Sequence, residues 1–151
     1  MDRGLFVVTD ASETEAQLLK DAAGVSTCSN APLVVLRLLT PEDIELVEDV
    51  ELTSDIDRQG YEDPVDRQFE ERTDAFVREA LDDAAVVSEI PVRAEPEGDR
   101  ASAILDTAEE YDCDHVFLVG QGRSPTGKAL FGDLTQEVVL NFDGTITLTM
   151  E

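Results

Sequence analysis

The chain has 151 residues, 42% of them hydrophobic, which is enough for one buried core and is read as a single domain over residues 1–151. Thirty-five acidic residues stand against 11 basic ones, giving a formal charge of -24 at pH 7, which argues against polyanionic nucleic acid and anionic membrane surfaces as partners. Concentrated salt shortens the Debye length to about 3 Å at 1 M and removes most of the resulting self-repulsion, so a salt-adapted, halophilic cytoplasm is expected. Apolar runs at residues 4–8, 33–39 and 116–119 are too strong for a disordered chain. No segment has the length of a membrane span, and Met1-Asp2-Arg3-Gly4 lacks a basic region before a long hydrophobic stretch, so a cytoplasmic location is expected. Cys28 and Cys113 show no metal-ligand spacing and are expected to be reduced, structural thiols. Cys113, Asp114 and His115, the last being the only histidine, are adjacent on an extended segment and point to opposite faces, so no metal site is expected there.

In chain order, Leu5-Phe6-Val7-Val8-Thr9 reads as a strand, Asp10-Ala11-Ser12-Glu13 offers helix-capping chemistry, and Ala16, Leu18, Leu19, Ala22 and Ala23 form a helical stripe. The second strand, Leu33 to Leu39, is apolar on both faces as in a buried parallel sheet, with Arg37 as its exception. Residues 41–63 are acidic, carry no period and read as a solvated excursion. A helix is expected from Val65 through Ala85 with Phe69, Phe76, Val77, Ala80 and Leu81 inward. A strand then runs from Val86 to Val92, interrupted near its end by Pro91, with Arg93 to Gly98 as a polar link. Asp99-Arg100-Ala101-Ser102 opens a third helix with Ala103, Ile104, Ala108 and Tyr111 inward, followed by strand Val116 to Val119. After a glycine-rich loop, Leu134, Val138 and Phe142 share a helix face, and Ile146 to Met150 alternates with period two. Five strands alternating with four helices predict a three-layer α/β/α sandwich around an open parallel sheet, whose ligands sit beyond the carboxyl ends of the strands where the order reverses; if the five-stranded sheet runs 3-2-1-4-5, strands 1 and 4 flank that point and bring Asp10 together with the Gly120 to Gly132 loop.

The loop Gly120-Gln121-Gly122-Arg123-Ser124-Pro125-Thr126-Gly127-Lys128-Ala129-Leu130-Phe131-Gly132 carries two cations and no acid in a strongly acidic chain. Glycines there can turn backbone N–H groups toward an anion, and phosphate is the expected guest. Gly122 through Lys128 has the spacing of a Walker A loop, but Ala129 stands where the Mg²⁺-holding hydroxyl is required and the loop follows the fourth strand. Gly122, nine residues and Gly132, with Val8-Thr9-Asp10-Ala11-Ser12-Glu13 and Gly98-Asp99-x3-Ala103-Ile104-Leu105, resemble the universal stress protein family over nearly the whole chain.

That resemblance implies the adenine nucleotide alpha hydrolase-like fold and, by motif, Asp10 near an adenosine, the Leu38 backbone at the base, and Gly122 with Gly132 around phosphates. Thr9, Gly120, Arg123, Lys128, Asp133 and Leu134 complete the candidate ligand set. The chain departs from the family pattern where Val119 replaces the first loop glycine and Asp133 the terminal Ser/Thr. An ionised carboxylate repels phosphate unless Mg²⁺ bridges the two or Arg123 and Lys128 compensate. Asp133 with Gln136 also has capping-box spacing, and Asp10 suits a cap as well as a ribose contact.

The expected function is ATP or other adenine-nucleotide binding, with Mg²⁺, in a stress response. The alternative is a homodimeric interaction module of the same fold that takes no nucleotide. No catalytic constellation is present, so turnover is not expected. The resemblance also implies a homodimer through the terminal strand 146–150, which should lie at a sheet edge.

Overall fold

The computed structural model describes residues 1–39, 43, 64–94, 99–120 and 133–150. Most of the predicted 41–63 excursion and the whole of loop 121–132, with Gly122, Arg123, Lys128 and Gly132, lie outside the described residues.

Strand β1 (Gly4–Val8) is followed by helix α1 (Glu13–Ser29), β2 (Leu33–Leu39), α2 (Pro64–Ala80), β3 (Val87–Glu89), β4 (Val92–Ala94), α3 (Arg100–Glu110), β5 (His115–Gly120), α4 (Asp133–Asn141) and β6 (Thr145–Met150). All the strand pairings are parallel, in the order β3-β2-β1-β5-β6 with β4 also on β2. The fold is therefore the anticipated parallel α/β sheet, with the third strand position shared by two short segments. That split corrects the continuous strand expected over Val86 to Val92, and it carries Arg93 and Ala94 from the expected link into β4. Pro91 has no N–H for the ladder, but its carbonyl accepts from Arg37 N at 2.9 Å, so pairing with β2 resumes beyond it. α2 also ends at Ala80 rather than Ala85, and a 3-10 turn at Ala84–Val86 leads into β3. The Asp83 carboxylate accepts from Ala85 N at 3.0 Å, which favours a turn over continued helix.

β1 and β2 are buried at every position, as parallel strands covered on both faces must be. On one face Phe6, Val8, Leu33, Val35 and Phe117 pack with Leu18, Leu19 and Ala22 of α1 and Val77 of α2. On the other, Leu5, Val7, Val34, Leu36, Leu38, Val116 and Leu118 pack with Ala101, Ile104 and Ala108 of α3 and Val138 of α4. The sheet is thus the middle of three layers. The N-terminus is tied to the start of β5, where the Asp114 carboxylate accepts from the N–H groups of Asp2 and Arg3 at 3.1 and 3.2 Å. Those bonds hold Asp114 below its ordinary pKa against the upward push of desolvation. Cys28 and Cys113 are free, the first exposed and the second buried, and burial pushes the Cys113 thiol up to about 11.

Candidate functional site

β1 lies between β2 and β5, and the chain leaves it toward β2 on one side and returns at β5 on the other. The strand order therefore reverses beside β1, and the carboxyl ends of β1 and β5 lie side by side at the point where open α/β sheets take their ligands. Asp10 stands two residues past the end of β1, and Gly120 is the last residue of β5.

The turn from β1 into α1 is organised by a residue the sequence reading did not single out. Glu15, in the first turn of α1, is only 1% exposed, and its carboxylate accepts four hydrogen bonds. Oε2 takes Thr9 N and Thr9 Oγ1, each at 2.9 Å, while Oε1 takes Ala11 N at 2.8 Å and Asp10 N at 3.3 Å. Ser12 is the N-cap, its Oγ accepting from Glu15 N at 3.2 Å. Ser12-x-x-Glu15 is therefore the capping-box spacing, and this was the signal available in sequence. In the usual box the acid reaches back to the cap residue's own N–H. Here Ser12 N donates to Asp10 Oδ1 at 3.2 Å, which leaves Glu15 to reach deeper into the turn. Ala11, at φ 51°, adopts the left-handed conformation that turns these amides inward.

Arg37, the polar exception in β2, lies behind the same turn. It is 9% exposed, and its Nη1 donates to the carbonyls of Val8, at 3.3 Å, and Thr9. Its guanidinium stands 5.5 Å from the centre of the Phe69 ring. Burial lowers its pKa, opposed by the charges of Asp43, Glu15 and Asp10, with Arg100 adding to the lowering. A guanidinium remains charged through such a shift. Buried opposite charges thus hold the two sides of one backbone turn, Glu15 its amides and Arg37 its carbonyls. Burial is also the largest influence on Glu15, raising its pKa in excess of what the Thr9 and Asp10 hydrogen bonds take back, with the Asp10 charge adding to the rise.

The candidate residues divide accordingly. Asp10 is exposed, and only its Oδ1 makes a side-chain hydrogen bond among the described residues, so Oδ2 can accept from a ligand hydroxyl. Thr9 has its N–H, hydroxyl and carbonyl engaged by Glu15 and Arg37. Leu38 is fully buried in the sheet, and Leu134 is half-buried against the same core. Gly120 pairs with Met150, and a Cβ there would come within 2.7 Å of Met150 Sδ, so its lack of a side chain serves packing at the strand end. Asp133 is exposed and opens α4, so its carboxylate belongs to the helix's first turn. At the start of α3, Arg100 Nε is buried without a hydrogen-bond partner among the described residues. Among the described residues no cluster of three or more His, Cys, Asp or Glu could hold a metal ion, and no helix is long and apolar enough to cross a membrane.

The universal stress protein family model matches residues 3–148. Solved structures agree in fold. A universal stress protein from Archaeoglobus fulgidus is 18% identical, with 98% of each chain covered and a TM-score of 0.61. A universal stress protein solved in complex with cAMP is 18% identical, covering 99% of this chain and 98% of that one at a TM-score of 0.57. A universal stress protein from Archaeoglobus fulgidus solved in complex with dAMP is 14% identical, covering 98% of this chain and 97% of that one at a TM-score of 0.57. No curated protein matches by sequence.

Proposed function

Because the chain belongs to the universal stress protein family, we propose that it binds an adenine nucleotide at the carboxyl ends of β1 and β5 and responds by conformation or partner choice rather than by turnover. The observation that carries this reading is Asp10, exposed at the point where the strand order reverses, its Oδ2 without a hydrogen bond among the described residues and its backbone held from both sides. Such a carboxylate suits ribose hydroxyls. Solved relatives of the same fold hold cAMP and dAMP, which supports an adenine nucleotide as the class of ligand.

The turn also limits where phosphates can go. The N–H groups of Thr9, Asp10 and Ala11 already serve Glu15, so an anion arriving at the end of β1 meets no open donor among them. Phosphates would be left to the glycine-rich segment after Gly120, where Arg123 and Lys128 supply the cations. Asp133 works against them, as an acceptor-only group of like charge, and Mg²⁺ is the ion that would let a carboxylate and a polyphosphate share the site.

A second reading, a homodimeric interaction module without nucleotide, is favoured by the other end of the sheet. β6 is an edge strand, and Leu140 (72% exposed) and Met150 (43%) add apolar surface on α4 and β6.

Thermal stabilisation by Mg-ATP, AMP and cAMP in molar potassium chloride tests the choice. The nucleotide reading expects stabilisation of about 2.7 kcal/mol at a hundredfold excess over Kd. Asp10→Ala should weaken binding by about tenfold, the cost of one hydrogen bond to a charged group. Asp133→Ser should strengthen ATP more than AMP. Absence of any shift in the wild-type protein removes nucleotide and leaves the interaction module.

A further inference from the structure

We propose that Glu15 is an internal anion that fills a cradle formed by the β1–α1 turn, and that by doing so it positions Asp10 for its ligand. The second half rests on the nucleotide reading; the first stands on geometry alone. Three consecutive backbone N–H groups and one hydroxyl converge on a single carboxylate, at 2.8 to 3.3 Å. Successive amides turned to one side form the concavity by which backbone recognises carboxylate or phosphate. In this chain the guest is covalently attached, reaching in from α1, and it is 1% exposed.

The cradle is built around a carboxyl group. Ala11 takes a left-handed conformation that an alanine does not favour, and its N–H makes the shortest of the four bonds. Arg37 balances the buried negative charge from the carbonyl side of the same peptides, through Val8 and Thr9. Asp10 itself adds a further link, since its Oδ1 takes Ser12 N, the donor that a conventional capping acid would have used. Asp10 is thus fixed at its N–H by Glu15 and at its carboxylate by Ser12, with Oδ2 making no hydrogen bond among the described residues. Without Glu15, three amides lose their acceptor together, and the backbone that aims Oδ2 loses its support.

The test uses Glu15→Ala and Glu15→Gln in the full chain, with added acetate as a free substitute for the missing carboxylate and chloride at equal ionic strength as control. Amide hydrogen exchange at Thr9, Asp10 and Ala11 should accelerate by about tenfold or more in Glu15→Ala, the loss expected for hydrogen bonds to a charged acceptor. Acetate should slow exchange at these amides again, and should leave the wild-type protein unchanged. Glu15→Gln keeps the shape and an acceptor oxygen, so it should fold, show a smaller acceleration at the same amides and gain nothing from acetate. Titration with cAMP should show about tenfold weaker binding in Glu15→Ala, restored by acetate, and no restoration in Asp10→Ala. Wild-type exchange rates at the three amides in both variants would overturn the proposal, as would an acceleration spread evenly over the chain and blind to acetate. If Glu15→Ala fails to fold, wild-type rates in Glu15→Gln alone overturn it. A wild-type protein that ignores cAMP while Glu15→Ala answers acetate overturns the nucleotide reading and keeps the cradle.

Discussion

At the scale of single residues, the site is governed by charges that have been taken out of water. A buried carboxylate is tolerated only when its lone pairs are filled, and Glu15 finds four donors within the turn that it stabilises. Burial still raises its pKa above the ordinary 4.5. A carboxyl whose folded value is raised binds its proton more tightly in the folded state, so its contribution to stability is largest below 4.5 and is lost as pH rises through the folded value. Wild-type stability relative to Glu15→Gln, which cannot titrate, should therefore grow as pH falls from neutrality toward 4.5. Urea unfolding of both proteins across that interval reads the difference, and a flat difference would show that burial does not dominate. His115 has the opposite sign. Burial lowers its pKa, so its neutral form, bonded through Nε2 to Thr147 Oγ1 at 2.7 Å, is lost at some cost as pH falls below the ordinary 6.5.

Between elements, the fit of β5 to β6 decides how the end of the sheet is closed. Gly144, immediately before β6, has no room for a side chain, since a Cβ would stand 2.7 Å from the backbone oxygen of Asp114 and from the Phe142 ring. Neither neighbour can swing away, because one is main chain and the other packs against the core. Gly120 faces the far end of the Met150 side chain, a thioether that can change rotamer. Gly144→Ala should accordingly cost about 1–3 kcal/mol in stability, and Gly120→Ala below about 1 kcal/mol. Chemical denaturation of the two variants reads the order, which a rotamer-limited Met150 would reverse. The split of the third strand position is also an element-scale effect. Pro91 removes one ladder donor, and pairing with β2 is taken up on either side of it by Leu33 and Val34 and then by Arg37 to Leu39.

For the whole molecule, a charge of -24 acts on every element at once. The folded chain concentrates like charges, so its thermal midpoint should climb as potassium chloride rises from about 0.1 M to about 1 M, where the Debye length falls from about 10 to about 3 Å. A midpoint that stays level would show that the acidic surface is already compensated. The edge position of β6 gives the other prediction at this scale, a dimer through residues 145–150 that forms in high salt, where repulsion between two acidic copies is screened. Sedimentation at micromolar concentration in molar salt should show the dimer, and a monomer under those conditions would reject it.

The amino-acid sequence by itself determined the layers, whereas the strand order came from the pairings. Unbroken apolar runs such as Leu33 to Leu39 can be buried only between two sheets of helices, and helix stripes such as Leu18, Leu19 and Ala22 have one face to hide. Periodicity also located β6, and the glycine-rich segment after β5 marked the candidate ligand end of the sheet. Only the tertiary structure decided what the charged residues do there. Arg37 read as an exception in an apolar strand until the neighbouring strand supplied the carbonyls of Val8 and Thr9. Glu15 read as one of many acids, although Ser12-x-x-Glu15 had the spacing of a cap. A charge is buried or solvated according to the donors within reach of it in space. Hydrophobic periodicity carries no record of them, because they come from a turn whose shape depends on the buried charge itself.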